Sequence, residues 1–196
     1  MTMNILDKNI QAKFTIKKSK FLCFGYIVKN KDEAKSIVSN IKHEYPDASH
    51  VCYAYLLSDK EFYHTDGGEP SGTAGIPIYN AIKSFNLNYC LFVVVRYFGG
   101  IKFGPGPLRS TCKQISIDTL KQAKICQGII SDVIQIRVEY NKFKSTSKIL
   151  KPFIKNLIYT KEYVTLELVG DTKQILKLLN ELKLTIVKIE KNRLIK

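Results

Sequence analysis

Two segments dense in glycine and proline hold the residues whose types and spacing could do chemistry. The first, DGGEPSGTAGIP, runs from Asp66 to Pro77; the second, FGGIKFGPGP, runs from Phe98 to Pro107. Each lies between a stretch of strand-forming residues and a stretch with helical spacing. Glycine lets the backbone turn sharply and approach a ligand closely. A helix N-terminus adds free N–H groups and a partial positive charge. Together these features can hold an anion, as phosphate-binding loops do. The candidate anion- or nucleic-acid-binding residues are Gly72, Thr73 and Gly75 in the first loop and Gly99, Gly100, Gly104 and Gly106 in the second. Arg96 and Lys102 flank the second loop, and Arg109 and Lys113, four apart, share one face of the helix expected next. The loops are neither a P-loop, since no G-x-x-x-x-G-K-[ST] occurs, nor a dinucleotide fingerprint, since GGIKFGPG lacks the G-x-G-x-x-G spacing. The alternative reading is tight turns with a purely structural purpose.

A second constellation is acidic and imidazole-bearing. Asp66 and Glu69 lie in the first loop, with His50 and His64 nearby in sequence. Carboxylates and imidazoles can bind metals or move protons, so His50, Asp66 and Glu69 are the candidate catalytic set. Their spacing fits no metal motif, and neither a metal nor another cofactor is expected. Glu69 could equally cap loop amides. Cys52 stands two residues from His50, on the same face of a strand. The cysteines, at positions 23, 52, 90, 112 and 126, form no C-x-x-C pair and read as small buried residues of a reducing compartment.

The elements that must position these residues follow from periodicity and punctuation. Ser19 to Val28 reads as a buried strand. A helix follows, with Asn30 as its cap, Glu33 completing a capping box and Pro46 stopping it. His50 to Leu57 is a second strand and Glu61 to His64 a short third. Pro77 suits the first position of a helix running to Phe85. Cys90 to Tyr97 is the strongest strand, and a helix is expected from about Leu108 to Lys124. Gly128 marks a change of pattern, dividing the chain into expected domains of residues 1–127 and 128–196. Beyond it come a strand from Asp132 to Tyr140 and a helix from Lys142 to Asn156 that Pro152 must kink or end. Tyr159 to Val169 holds one strand or two. A helix capped by Asp171 or Thr172 and a last strand, Leu184 to Ile189, complete the pattern. The order β-α-β(β)-α-β indicates a ferredoxin-like α+β sandwich. Lys144, Lys148, Lys151 and Lys155 make a 4-3-4 stripe, either a solvated face or a polyanion surface.

The 196 residues are 45% hydrophobic and 24% charged, values of a globular chain, with a formal net charge of +14. Residues 1–127 carry 17 Lys+Arg against 10 Asp+Glu, and residues 128–196 carry 14 against 7, so the excess is spread evenly. Such a balance favours polyanionic partners: RNA, DNA, ribosomes or acidic protein surfaces. The longest apolar run, Tyr89 to Val95, falls far short of the roughly 18 residues of a bilayer span. The opening MTMNILDKNI has neither a basic n-region nor an apolar h-region. A cytoplasmic protein with no membrane segment is therefore expected; the oligomeric state is not legible.

ASHVCYAY (Ala48 to Tyr55), DGGEPSGTAGIP (Asp66 to Pro77) and VVVRYFGGIKFGPG (Val93 to Gly106) together resemble the IMPACT/YigZ family, with EPSGTAG and RYFGG the most specific blocks. The likeness is strong over residues 16–125; the remainder resembles, more weakly, the small C-terminal domain of bacterial members. It implies an α+β protein: an N-terminal domain like the second domain of ribosomal protein S5, then a ferredoxin-like C-terminal domain like the last one of elongation factor G. Eukaryotic members of this family regulate translation under amino-acid stress by competing for an activator of a translation-factor kinase, a pathway absent in bacteria. Three positions depart from the family pattern. Gly67 stands where the second Asp of Asp-Asp-Gly-Glu-Pro is usual, and Pro107 replaces a glycine. Arg109 comes one position early, with Ser110 where the basic residue belongs, which moves the charge about 100° around a helix. The expected function is a translation-associated regulator that binds RNA or the ribosome, with a possible protein partner in translation control. The alternatives are a hydrolase of an anionic or phosphorylated small molecule, using His50, Asp66 and Glu69, and a protein-interaction module whose glycine loops are structural.

Overall fold

The computed structural model describes residues 2–195. The chain divides into two compact units, Thr2–Gly128 and Ile129–Ile195. Both are α+β, in agreement with the fold class read from the sequence.

The first unit is built on an antiparallel sheet. Its strands are β2 (Ile10–Ile16), β3 (Ser19–Ile27), β4 (His50–Ser58), β5 (Glu61–Thr65) and β6 (Cys90–Tyr97), in the order β2-β3-β6-β4-β5. Three helices belong to this unit: α1 (Lys31–Glu44), α2 (Gly75–Ser84) and α3 (Pro105–Lys121). Alternate residues of the central strands enter two different cores. Phe21, Cys23, Cys52, Ala54, Phe92 and Val94 pack with Ile78 and Ile82 of α2 and Leu108 and Ile115 of α3. Phe24, Tyr55, Leu57, Leu91, Val93 and Val95 pack with Ala34, Val38 and Ile41 of α1. A strand covered on both faces needs apolar residues at every position, which is why Cys90–Val95 is an unbroken apolar run.

Helix α1 starts as its sequence signals. The Asn30 side chain accepts from the Glu33 N–H at 2.8 Å, while Glu33 Oε2 accepts from the Lys29 N–H at 2.7 Å. A short strand, β1 (Thr2–Leu6), pairs with the long β7 (Ile125–Glu139), and Gln127 donates to Asn4 Oδ1 at 2.6 Å.

The second unit comprises most of β7, then α4 (Tyr140–Leu150), β8 (Ile154–Tyr159), β9 (Tyr163–Val169), α5 (Thr172–Glu181) and β10 (Ile186–Ile195). The sheet runs β10-β7-β9-β8 with every pair antiparallel. Numbered within the unit this is 4-1-3-2, the order of a ferredoxin-like split βαβ fold. Ile134, Ile136, Val138, Leu166 and Leu168 form its core with Leu150, Ile175 and Leu179 from the helices.

Several elements differ from the sequence expectation. Helix α2 begins at Gly75, so Pro77 occupies its third position, where a missing N–H costs nothing. Helix α3 begins at Pro105 rather than Leu108. The helix expected from Lys142 to Asn156 ends at Leu150; Pro152 sits in a single 3-10 turn, and the chain continues as β8. Lys144 and Lys148 therefore share a helix, whereas Lys155 stands on a strand, and the four-lysine stripe is not one helix face. The last strand extends to Ile195.

Candidate functional site

The first glycine loop is organised by Asp66. Its carboxylate accepts from the backbone N–H of Gly72 at 2.8 Å and of Ala74 and Gly75 at 2.9 Å each. Ala74 and Gly75 are free donors at the start of α2, and Gly72 belongs to the loop before it. The expected anion seat at Gly72 and Gly75 is therefore already filled by an anion from the same chain. Burial pushes the Asp66 carboxyl up, but the three amides outweigh it and hold it below the ordinary carboxylate value. Thr73 is buried and donates its hydroxyl to the Pro70 carbonyl at 2.6 Å, so it too serves the loop itself. Gly67 has φ +57, and a Cβ there would lie 2.0 Å from the Val51 carbonyl oxygen. The residue that departs from the family pattern thus occupies a left-handed position pressed against β4.

Glu69 and Arg96 form the second anchor. Arg96 Nη1 donates to Glu69 Oε1 at 2.6 Å, with side chains only 6% and 3% exposed. The guanidinium also lies 4.8 Å from the Phe103 ring centroid and 5.6 Å from those of Phe21 and Phe98. Arg96 is therefore an internal clamp joining β6 to both loops, not a part of an exposed basic patch. Its Nε is buried without a hydrogen-bond partner among the described residues. His50 Nε2 stands 3.7 Å from Glu69 Oε2.

The candidate catalytic set thus separates. His50 and Glu69 approach each other, while Asp66 is directed at amides. Burial pushes the thiols of Cys23 and Cys112 up to about 12, and those of Cys52 and Cys90 upward as well, so these sulfurs are protonated core groups. Cys52 donates its S–H to the Asp66 carbonyl at 2.9 Å. Among the described residues no group of three or more His, Cys, Asp or Glu could hold a metal ion.

The second loop is held from beneath. The Phe98 N–H donates to Ser49 Oγ at 3.0 Å and the Gly99 N–H to Ser19 Oγ at 3.1 Å. A Cβ on Gly99 would lie 2.0 Å from the Lys18 carbonyl oxygen, so the loop rests directly on the β2–β3 turn. Beyond it, Gly104, Pro105, Gly106 and Pro107 are exposed. Two prolines in the first turn of α3 remove two backbone donors, and the Leu108 N–H bonds the Gly104 carbonyl at 3.0 Å. The helix start that the sequence nominated as an anion seat is consequently poor in N–H groups. Lys102, Arg109 and Lys113 are all exposed. Arg109 also donates from Nε to the Gly72 carbonyl at 3.1 Å, tying the two loops together.

Basic residues that the sequence reading did not select stand beside this loop. Lys18 and Lys20 line a 440 Å³ cavity with Asp47, Tyr97 and Phe98. The signal that could have found them is the KKSK run at residues 17–20, once that run is recognised as a hairpin turn.

A five-stranded antiparallel sheet bearing two internally braced glycine loops, followed by a split βαβ unit, defines a two-unit α+β protein. Residues 17–120, more than half of the chain, match the family model of the Impact N-terminal domain, and the chain belongs to the IMPACT/YigZ family. It is 38% identical over 109 residues to the IMPACT family member YvyE of Bacillus subtilis (strain 168), a match covering 54% of this chain and 50% of that protein. It is 36% identical over 97 residues to the IMPACT family member YigZ of Escherichia coli (strain K12), covering 47% and 48% respectively. The chain spans about half the length of the curated relatives it matches. A crystal structure of a protein described only as hypothetical is similar at 26% identity and a TM-score of 0.68, covering 96% of this chain and 98% of that one.

Proposed function

We propose that this chain is a cytoplasmic, translation-associated protein that binds RNA or the ribosome with the surface around its two glycine loops. The observation that carries the proposal is the direction of the charges. The two acidic residues of the first loop are consumed inside, Asp66 by backbone amides and Glu69 by Arg96. Lys102, Arg109 and Lys113 stay exposed and make no ion pair among the described residues. A loop surface that leaves its cations exposed while its acids are engaged by partners within the fold attracts phosphate backbones. The net charge of +14 acts in the same direction. Family membership supports the translation context, since the resemblance implies translation control for eukaryotic members.

A hydrolase acting on an anionic or phosphorylated small molecule finds less support. Asp66 and Glu69 already have internal partners, and only the 3.7 Å approach of His50 to Glu69 resembles an acid–base pair. The proposal is tested by fluorescence anisotropy with labelled single-stranded RNA and by co-sedimentation with ribosomes. Binding that weakens steadily with salt supports it. Absence of binding to both at low salt contradicts it.

A further inference from the structure

The turn between β2 and β3 has an unusual composition. Ile16 pairs with Ser19, leaving Lys17 and Lys18 as a two-residue hairpin loop with φ of 47° and 61°. Two positive φ values are the mark of a type I′ turn, a position that asparagine and glycine fill without strain and lysine does not. Strain of this kind points to a use for the side chains it positions. The turn is also fixed in place: Gly99 lies against the Lys18 carbonyl, and Ser19 Oγ accepts from the Gly99 N–H at 3.1 Å. Lys18 and Lys20 are thereby set beside the second loop rather than left to wander.

Next to them stands an exposed aromatic platform. Phe98 is 46% exposed although it belongs to a braced loop, and the buried Arg96 guanidinium lies 5.6 Å from its ring centroid. Tyr97 lines the same cavity and is held by its hydroxyl, which donates to Asp47 Oδ1 at 3.2 Å. The cavity measures 440 Å³ and is lined by Lys18, Lys20, Asp47, Tyr97 and Phe98, within the range of about 300–1,000 Å³ typical of small-ligand sites. An exposed ring, Phe98, and a half-buried one, Tyr97, beside ammonium groups suit a ligand with a flat π-face joined to an anion. Single-stranded nucleic acid offers that combination at every residue.

We propose that this cavity is a nucleotide-sized subsite for single-stranded RNA, in which one base stacks on Phe98 and the adjoining phosphates meet Lys18 and Lys20. The inference rests on the RNA-binding reading above and adds to it the part of the RNA that is gripped: a base face, not only a phosphate backbone. Asp47 lines the same cavity, accepts from the Tyr97 hydroxyl and repels phosphate there, so the phosphates are left to Lys18 and Lys20.

The probes are a fluorescein-labelled single-stranded RNA heptamer and an abasic ribose-phosphate strand of equal length. Phe98→Ala is expected to weaken heptamer binding about five- to hundredfold, to leave the abasic strand unchanged, and to be rescued by Phe98→Tyr. The exposed pair Lys18→Gln/Lys20→Gln is expected to lower the magnitude of the salt slope for both strands by about 0.7 per lost contact; this variant keeps the test decisive should Phe98→Ala unfold. Parental affinity in both the Phe98 and the Lys18/Lys20 variants, with loss in Lys102→Ala/Lys113→Ala, overturns the subsite and leaves the RNA-binding reading standing. Equal loss of both strands on Phe98→Ala also overturns it, since the ring would then be holding the loop and not a base. So does displacement of the heptamer by an acidic peptide whose binding Phe98→Ala leaves untouched. A parent that binds no RNA overturns both readings.

Discussion

The Arg96 guanidinium and the Glu69 carboxylate meet at 2.6 Å in an environment almost closed to water, joining the end of β6 to the first glycine loop. Between them they bring together positions 27 residues apart in sequence. Three aromatic rings surround the guanidinium, so the positive charge is shielded from solvent and offset from within.

Removing one member of that pair strands the other. Glu69→Ala leaves a buried guanidinium with no carboxylate and is expected to destabilise the first unit by about 3–5 kcal/mol. The double change Glu69→Leu/Arg96→Met removes both charges and should cost far less than the two single changes added together. Denaturant titration of the parent, Glu69→Ala, Glu69→Leu, Arg96→Met and the double variant reads this directly. A loss below about 1 kcal/mol for Glu69→Ala, the scale of a surface pair, would show that the pair does not hold the loops.

Asp66 gives the fold an acid-sensitive contact. Its native pKa lies below its ordinary value of 3.8, because the amides of Ala74, Gly72 and Gly75 outweigh the opposing effect of burial. A lowered native pKa stabilises the fold fully above the unfolded value and loses that contribution as pH falls through the native value. Asp66→Asn, whose amide nitrogen cannot accept from the loop N–H groups, is therefore expected to lose about 1–3 kcal/mol at neutral pH, the scale of a buried donor left without its acceptor. Its stability should then decline less steeply than the parent's below about pH 4. Parallel pH–stability curves for the two proteins would contradict this role.

Two glycines of the second loop predict opposite outcomes. At Gly99 an added Cβ would meet the Lys18 carbonyl oxygen at 2.0 Å, whereas at Gly106 nothing lies within 4 Å. Gly99→Ala should cost about 3 kcal/mol, because backbone must move. Gly106→Ala, inside α3, should be neutral or stabilising by up to about 1 kcal/mol. Thermal melts of both variants check the contrast, and equal melting temperatures would refute it.

What the sequence made legible was set by where periodicity is strong. The central strands read clearly because burial on both faces of the sheet keeps Leu91 through Val95 apolar. Strand β2 escaped notice because it is an edge strand, alternating between half-buried and exposed positions, with Gln11 and Lys13 on its outer face. The start of β8, Ile154 to Asn156, reads as the end of a helix because Phe143, Leu150, Ile154 and Leu157 recur at helical spacing; the 3-10 turn at Lys151–Phe153 breaks that register without breaking the pattern. In the site, the arginine at the end of an apolar strand and the two loop acids were visible as residue types. Their pairing was not, because nothing local says that Glu69 meets Arg96 while Asp66, three residues earlier, turns to the amides of α2.

The two-unit division carries its own test. Residues 1–128 contain both cores of the first unit, so we expect this fragment to fold and to melt cooperatively without residues 129–196. Calorimetry of the fragment is the check. A broad, non-cooperative melt would mean that the first unit is not an autonomous domain.

The central claim, that the outward cations of the glycine loops bind RNA, is tested most directly by salt titration of RNA affinity in two double variants. Lys102→Ala/Lys113→Ala removes two exposed charges that make no side-chain hydrogen bond or ion pair among the described residues; Arg109 is left in place because it also ties the loops together. Lys148→Ala/Lys155→Ala removes two charges from the second unit. The account predicts that the first pair lowers the magnitude of the salt slope by about 0.7 per lost contact, while the second leaves it near the parental value. Equal reductions in both would mean that RNA is attracted diffusely by a chain of net charge +14, and a parent with no measurable affinity at low salt would contradict the account altogether.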